Sequence, residues 1–350
     1  MHTKILKINR DAFSQSELHE AAEIIRNGGL VAFPTETVYG LGGNAFDPEA
    51  ASRIYAAKGR PGDNPLIVHI ADMDGLKEIV AQVPESAATL AARFWPGPMT
   101  LVMKKKSIVP ERTTGGLDTV AVRMPVHPVA AALIRECGLP IAAPSANRSG
   151  RPSTTTAQHC IEDLDGIIPM IIDSGAVDIG LESTIVDCTG DIPVLLRPGG
   201  ITLEMLRDAV GRVDIDPAIT GPVDAGVKPR APGMKYRHYA PEAELTIVTG
   251  SPERVQAKIS ELAEAARSGG KRVGIIATEE SRDAYHDCDL KVMGLRSDES
   301  TVAHNLFAIL REYDDDGVDV IYSEGFNDSG IGRAIMNRLR KAAGYRILEV

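Results

Sequence analysis

Leu30-Val31-Ala32-Phe33, running directly into Pro34-Thr35-Glu36-Thr37-Val38-Tyr39-Gly40-Leu41-Gly42-Gly43, decides the fold class of this 350-residue chain. Four apolar residues between turn signals read as a short buried strand, and the polar segment after it reads as a loop. Upstream, Ser14-Gln15-Ser16-Glu17 fits a capping box, and Leu18, Ala21, Ala22, Ile24 and Ile25 follow at helical spacing up to a stop at Gly28-Gly29. Downstream, Asp47 as N-cap and Pro48 at the first helical position open a second helix that ends at Lys58-Gly59. Helix, strand, loop, helix is the unit of an α/β fold. Such folds place ligands in loops after strands, and Gly40, Gly42 and Gly43 let backbone approach closely. Read alone, the segment is equally well a threonine-rich turn.

Outward from this unit the alternation continues. Strands are expected at 66–70, 100–103, 119–124, 141–143, 183–187 and 194–197, with helices near 85–94, 128–137, 154–163 and 202–210. From 211 to 243 the composition shifts: Pro217, Pro222, Pro229, Pro232 and Pro241, with Gly221, Gly226 and Gly233, mark a linker. Its second half, Lys235-Tyr236-Arg237-His238-Tyr239, is unusually rich in cations and aromatics for a tether. Beyond it, strands at 245–248, 273–277, 291–295 and 318–323 and helices near 252–267, 301–313 and 331–342 predict a small parallel, Rossmann-like sheet. The expected organisation is therefore an α/β domain over 1–210, a linker over 211–243 and a smaller α/β domain over 244–350.

Composition narrows the function. A net charge of −10 repels a phosphate backbone, and one Trp, eight Tyr and six Phe supply few stacking platforms, so stable nucleic-acid binding is disfavoured. Cys137, Cys160, Cys188 and Cys288 are scattered and form no CxxC pair, which points to inert thiols rather than zinc or disulfides. No apolar run approaches the ~20 residues of a membrane helix, and the first residues lack a signal-peptide core, so a cytosolic location is expected. Nothing matches a GxxxxGK[ST] loop, an HExxH motif or a GxSxG elbow.

Cations and hydroxyls at element ends carry the chemistry. In Thr119-Val120-Ala121-Val122-Arg123-Met124, alternation puts Thr119, Ala121 and Arg123 on one face and Val120, Val122 and Met124 on the other. A buried arginine needs an anion; a ligand carboxylate suits its fork, and an internal Asp or Glu would serve as well. Lys58 and Arg60 flank a helix C-terminus, where pairing with the helix dipole is an ordinary explanation. They lead, however, into the rigid loop Pro61-Gly62-Asp63-Asn64-Pro65. His69, in an apolar strand, is most simply a satisfied core residue. Pro144–Ser153 gathers hydroxyls, the Asn147 amide and two arginines in a loop suited to phosphate and ribose oxygens, a composition that a plain surface loop shares.

In this order, PTETVYGLGGNA (34–45), AAKGRPGDNPLIVHI (56–70), FWPGPMTLV (94–102), TVAVRMPVHP (119–128), APSANRSGRPS (143–153), GLESTIVDC (180–188) and LLRPGG (195–200) resemble the YrdC-like family. With PGMKYRHYAP (232–241), they resemble its long two-domain form, the threonylcarbamoyl-AMP synthases. The resemblance implies a twisted, concave mixed sheet and a nucleotidyltransferase. That enzyme joins threonine, bicarbonate or CO2 and ATP, with Mg2+ carried on the ATP phosphates. It implies threonine at Thr37, His69, Arg123 and Ser183, and ATP at Lys58, Arg60, Asn64, Thr119, Ser145, Asn147, Ser153 and Arg197. The KxR and SxN motifs fall on Lys58/Arg60 and Ser145/Asn147, the expected catalytic set. Lys235, Tyr236, Arg237, His238 and Tyr239 would fold over the nucleotide as a lid, with Tyr236 and His238 on ATP. The product would pass to a tRNA threonylcarbamoyl transferase acting at position 37 of tRNAs that read ANN codons. Two rival classes are a tRNA- or double-stranded-RNA-binding module and an O-carbamoyl-transfer enzyme. The second normally carries acylphosphatase and zinc-finger elements, whose patterns this sequence lacks.

Overall fold

The computed structural model describes residues 2–221, 229–232 and 239–350. It divides into two compact units, Met1–Ser149 with Ser153–Lys235, and Tyr236–Val350 with Gly150–Pro152.

The first unit opens with β1 (Lys4–Lys7), α1 (His19–Arg26), β2 (Val31–Phe33) and β3 (Gly40–Asn44). Next come α2 (Pro48–Lys58), β4 (Ile67–His69), α3 (Met73–Ile79), α4 (Glu85–Phe94), β5 (Met99–Lys104) and β6 (Thr119–Arg123). α5 (Pro128–Cys137), β7 (Ile141–Ala142), α6 (Ala157–Leu164), β8 (Met170–Asp173), β9 (Thr184–Asp187), β10 (Val194–Arg197), α7 (Leu203–Val210) and β11 (Asp214–Ile215) complete it. Among the described residues these strands form one mixed sheet in the order β1-β8-β2-β3-β7-β4-β6-β5-β9-β10-β11.

The helix boundaries follow the caps read from sequence. Asp47 accepts the Glu49 N–H at 2.8 Å, Pro48 sits at the first helical position, and a left-handed Gly59 closes α2 behind Lys58. In β6, Val120 and Val122 enter the main core while Ala121 faces the opposite side, as alternation requires.

The glycine-rich segment after β2 differs from the expected loop. Gly40–Asn44 is a strand antiparallel to β2. A Cβ on Gly42 would lie 2.8 Å from both Ile141 Cγ2 and Phe33 Cε1, so a bare backbone is what lets β2, β3 and β7 pack. Low strand propensity hid this element, and only the packing reveals it. Inside the Pro/Gly-rich stretch, Asp214–Ile215 pairs in parallel with β10, and Arg230 reaches Asp187 at 2.9 Å and also Asp216.

The second unit comprises β12 (Glu244–Thr249), α8 (Pro252–Ser268), β13 (Val273–Ala277), β14 (Asp289–Val292), α9 (Glu299–Asp316), β15 (Val320–Glu324), α10 (Gly332–Ala342) and β16 (Ile347–Glu349). Its sheet runs β14-β13-β15-β12-β16 with every pair parallel, the Rossmann-like arrangement expected. The third strand lies at 289–292, two residues before the expected 291–295. No described helix is long and apolar enough to cross a membrane.

Candidate functional site

Register across the first sheet sets one lateral row of side chains on a single face. His69 lies opposite Arg123, Arg123 opposite Thr100, Thr100 opposite Ile185, and Ile185 opposite Arg197. Directly opposed residues share a face. Strict alternation would send Arg197 with Leu195 into the core beside Val186, but a bulge between Leu195 and Arg197 turns it onto the row. Further along the strands on the same face, Ile67, Val102 and Ala121 pack with Ile185 and Leu196 in an apolar cluster.

Hydrogen bonds tie this row to neighbouring loops. Arg123 donates from Nη1 to Thr37 Oγ1 at 2.8 Å, and the Thr37 hydroxyl is 2.9 Å from Thr35 Oγ1. Arg197 donates from Nε to Ser183 O at 3.0 Å and from Nη2 to Ser183 Oγ at 3.1 Å. Ser183 Oγ lies 2.8 Å from Thr100 Oγ1. Thus Arg197, Ser183 and Thr100 form one hydrogen-bonded chain, and Thr100 faces Arg123, which holds Thr37.

Arg123 also has an internal carboxylate partner. Its Nη2 lies 2.6 Å from Glu36 Oε1, with both side chains buried. That contact is close but poorly aligned: neither Glu36 oxygen, nor Arg123 Nη2, completes a hydrogen bond. Charge is balanced while directional bonding capacity remains. Glu36 carries no local signal of this role in the sequence, because nothing near it tells which strand supplies its cation. Thr100 and Glu182 were missed for the same reason.

His69 sits edge-on to Phe33, ring centroids 6.1 Å apart, with Nδ1 3.2 Å from Ile67 O. Burial, then the nearby Arg123 charge, push its pKa down to about 3. The imidazole is therefore neutral at physiological pH and presents no added positive charge beside Arg123.

A second cluster gathers around Lys58. Rather than resting on its helix C-terminus, the buried ammonium donates to Ser145 O at 2.5 Å and to Asn147 O, with Asn147 Oδ1 at 3.4 Å. Ser145 donates in turn to Asn147 Oδ1. Asn147 N lies in a loop pinned from both sides, since Ala146 N donates to Tyr39 O and Ser149 N to Lys58 O, each at 2.8 Å. Ser153 donates to Glu182 Oε1, next to Ser183, which joins this loop to the first row.

Other predicted site residues are tied in less closely. Arg60 donates to Asn64 O at 3.3 Å and Pro65 O at 3.2 Å within its own loop. Asn64 is buried with Oδ1 lacking a donor. Thr119 is half-buried at the far end of β6, opposite Lys104 rather than beside Arg123. Of the expected lid, Lys235, Tyr236, Arg237 and His238 lie outside the described residues, whereas Tyr239 is buried and stacked on Phe307, ring centroids 5.0 Å apart. The thiols stand apart from this chemistry: burial pushes Cys137 and Cys188 up to about 12.

Buried carboxylates here, Glu36 and Glu182, are engaged by Arg123 and Ser153, and among the described residues no three His, Cys, Asp or Glu side chains cluster as metal ligands. This donor set fits a cation carried on a ligand's own phosphate oxygens, the usual state of Mg2+.

Comparison with known proteins shows the family. Residues 23–199 match the Sua5–YciO–YrdC family model, described as telomere recombination. Residues 201–344 match the model described as threonylcarbamoyl-AMP synthase, C-terminal domain. The chain is 52% identical to the threonylcarbamoyl-AMP synthase of Bacillus subtilis, covering 95% of this chain and 94% of that protein. It is likewise 52% identical to the one from Pyrococcus abyssi, over 97% and 98%. Among solved structures, P. abyssi Sua5 complexed with L-threonine superposes with a TM-score of 0.94 at 50% identity, covering 99% of this chain and all (100%) of that one. Escherichia coli YciO matches 56% of this chain and 96% of its own, at TM-score 0.52 and 27% identity.

Proposed function

Because this chain belongs to the Sua5–YciO–YrdC family and carries the C-terminal domain of its two-domain synthases, we propose that it forms threonylcarbamoyl-AMP and pyrophosphate from L-threonine, bicarbonate or CO2, and ATP. One observation carries the reading: two buried arginines, Arg123 and Arg197, share a row on one face, with Thr100 and Ser183 between them. A carboxylate and a phosphate seated side by side need N–H donors at two places, and a buried guanidinium keeps its donors protonated whatever it binds.

Threonine takes the end of the row at Thr37, His69, Arg123 and Ser183. The free N–H capacity of Arg123 receives its carboxylate, and the hydroxyls of Thr37 and Ser183 sense its side chain. ATP lies along Lys58, Arg60, Asn64, Ser145, Asn147, Ser153 and Arg197, with Thr119 at the margin. The threonine amine, once neutral, adds to CO2 to give a carbamate and releases a proton. A carbamate oxygen then attacks the α-phosphorus in line, and pyrophosphate leaves. Lys58, Arg60 and Arg197 balance the charge that develops on the phosphate oxygens. Mg2+ bound to the phosphates supplies further charge neutralisation. Holding both reactants in one place accounts for much of the rate. Residues 211–243 serve as linker, with the 235–239 segment as lid. The product passes to a transferase that modifies position 37 of tRNAs reading ANN codons, in the cytosol.

Pyrophosphate release is the assay, with threonine and bicarbonate each omitted in turn. Release that requires both, and falls when Ser183→Ala breaks the link between Thr100 and Arg197, is the expected result. Release that continues without threonine rules the reading out.

A further inference from the structure

The second unit contains a cavity of about 160 Å³ that the proposed reaction does not use, lined by Gly250, Pro252, Thr278, Glu280, Arg296 and Glu324, among others. It lies just past the carboxyl ends of β12, β13 and β15. Right-handed crossovers carry the chain from β12 through α8 toward β13, but from β15 through α10 in the opposite direction, to β16. The connections leaving adjacent β12 and β15 therefore depart to opposite faces. That divergence is the topological switch point at which open parallel sheets bind ligands.

The cavity wall bears fixed charges of both signs. Glu324 is buried and accepts the Tyr285 hydroxyl at 2.8 Å, while Arg296 Nη2 pairs with it at 2.6 Å. Arg296 spends only one further N–H, on Gly325 O at 3.0 Å, so its fork keeps donors for a ligand. Glu280 accepts the backbone N–H groups of Arg296 and Ser297 at 2.9 and 3.0 Å. Desolvation opposes its ionisation, but these donors outweigh it and hold its pKa at about 2. The α8 helix also begins at the cavity: Pro252 lines it, and the Ser251 side chain makes no capping bond.

A phosphate dianion would meet Glu280 and Glu324, and a plain cation would meet Arg296 and the positive end of α8. A ligand with one charge of each sign satisfies both. The volume is well below the ~300–1,000 Å³ of drug-sized pockets, so the ligand has few heavy atoms. We propose that this cavity binds a free α-amino acid, with its carboxylate on Arg296 and the first turn of α8 and its ammonium between Glu280 and Glu324. This site is independent of the threonine site proposed in the first unit.

Hydrogen–deuterium exchange on the full chain tests it, with each standard L-amino acid as probe and acetate, methylammonium and inorganic phosphate as controls. At least one amino acid should slow exchange over 250–256 and 278–281, and no control should. Arg296→Ala should weaken that ligand about tenfold or more. Gln256 also lines the cavity, and Gln256→Trp, which adds bulk to that wall and leaves all three charges in place, should abolish the protection while threonine-dependent pyrophosphate release persists. The proposal fails if no amino acid protects these segments, if phosphate alone does, or if protection survives Gln256→Trp. Protection over 35–37 or 183–184 reports the first-unit site separately, so failure of either reading is visible without the other.

Discussion

At the scale of single residues, the pair Arg123–Glu36 shows what a buried charge demands. Either side chain alone would be a stranded ion, and losing one partner of such a pair typically costs about 3–5 kcal/mol. Glu36→Ala should therefore lower the unfolding free energy by that order, read as a lower denaturant midpoint at unchanged slope, and Glu36→Leu with Arg123→Met should recover much of the loss while abolishing activity. An unchanged midpoint in the single variant would show that Arg123 is not held by Glu36. Two buried histidines add a pH dependence. Burial and Arg123 lower His69 to about 3; burial, with Arg10 foremost among the opposing charges, lowers His127 to about 4. Both folded values lie below the ordinary 6.5, so the unfolded chain takes up these protons first as pH falls. Their stabilising contribution is complete above about pH 6.5 and is lost on acidification through 4 and then 3. Each loses about 1.4 kcal/mol per pH unit in its window. Between about pH 6.5 and 4 the two windows overlap, so the measured unfolding free energy should fall by about 2.7 kcal/mol per pH unit, and His127→Asn should halve that slope.

Among elements, the site depends on how β10 meets the segment before β9. The bulge that presents Arg197 is followed by Gly199, where a Cβ would lie 2.5 Å from Thr184 N and 2.7 Å from Glu182 O. Backbone atoms cannot rotate away, so Gly199→Ala must push the two segments apart. The variant should lose about 2 kcal/mol or more of stability and most of its activity, because Ser183 and Arg197 are the groups displaced. Activity and melting temperature like the parent's would mean that the segment yields easily. Much at this scale was legible in sequence. Alternation in 119–124 sorted Arg123 from Val122, and Asp47-Pro48 with Gly59 bounded the helix that delivers Lys58. The strand at Gly40–Asn44 was not legible, since its glycines are selected by the approach of Phe33 and Ile141 and carry no periodic signal.

For the molecule as a whole, a net charge of −10 argues about partners. Phosphate contacts dominate tRNA affinity, and an acidic protein forms few of them without a concentrated basic surface. Binding of tRNA to the full chain should be weak at physiological salt, as a gel-shift titration across ionic strength would read. Tight binding that falls steeply with salt, without threonine-dependent ATP cleavage, would favour the RNA-binding alternative. Each unit has its own apolar core, one centred on residues such as Leu41, Val68 and Leu101, the other on Val248, Ile259 and Ile275; the first unit continues past residue 210, where Asp214–Ile215 joins its sheet. Periodicity and caps, being local, made the α/β class, most elements and the second parallel sheet readable from the chain alone; the family's motifs added candidate residues. Register was decided only in three dimensions. That Arg123 meets Glu36 and Thr37, that Lys58 clasps the Ser145–Asn147 loop, and that a bulge turns Arg197 toward Ser183 all depend on strands distant in sequence becoming neighbours, and local periodicity carries no information about which strands those are.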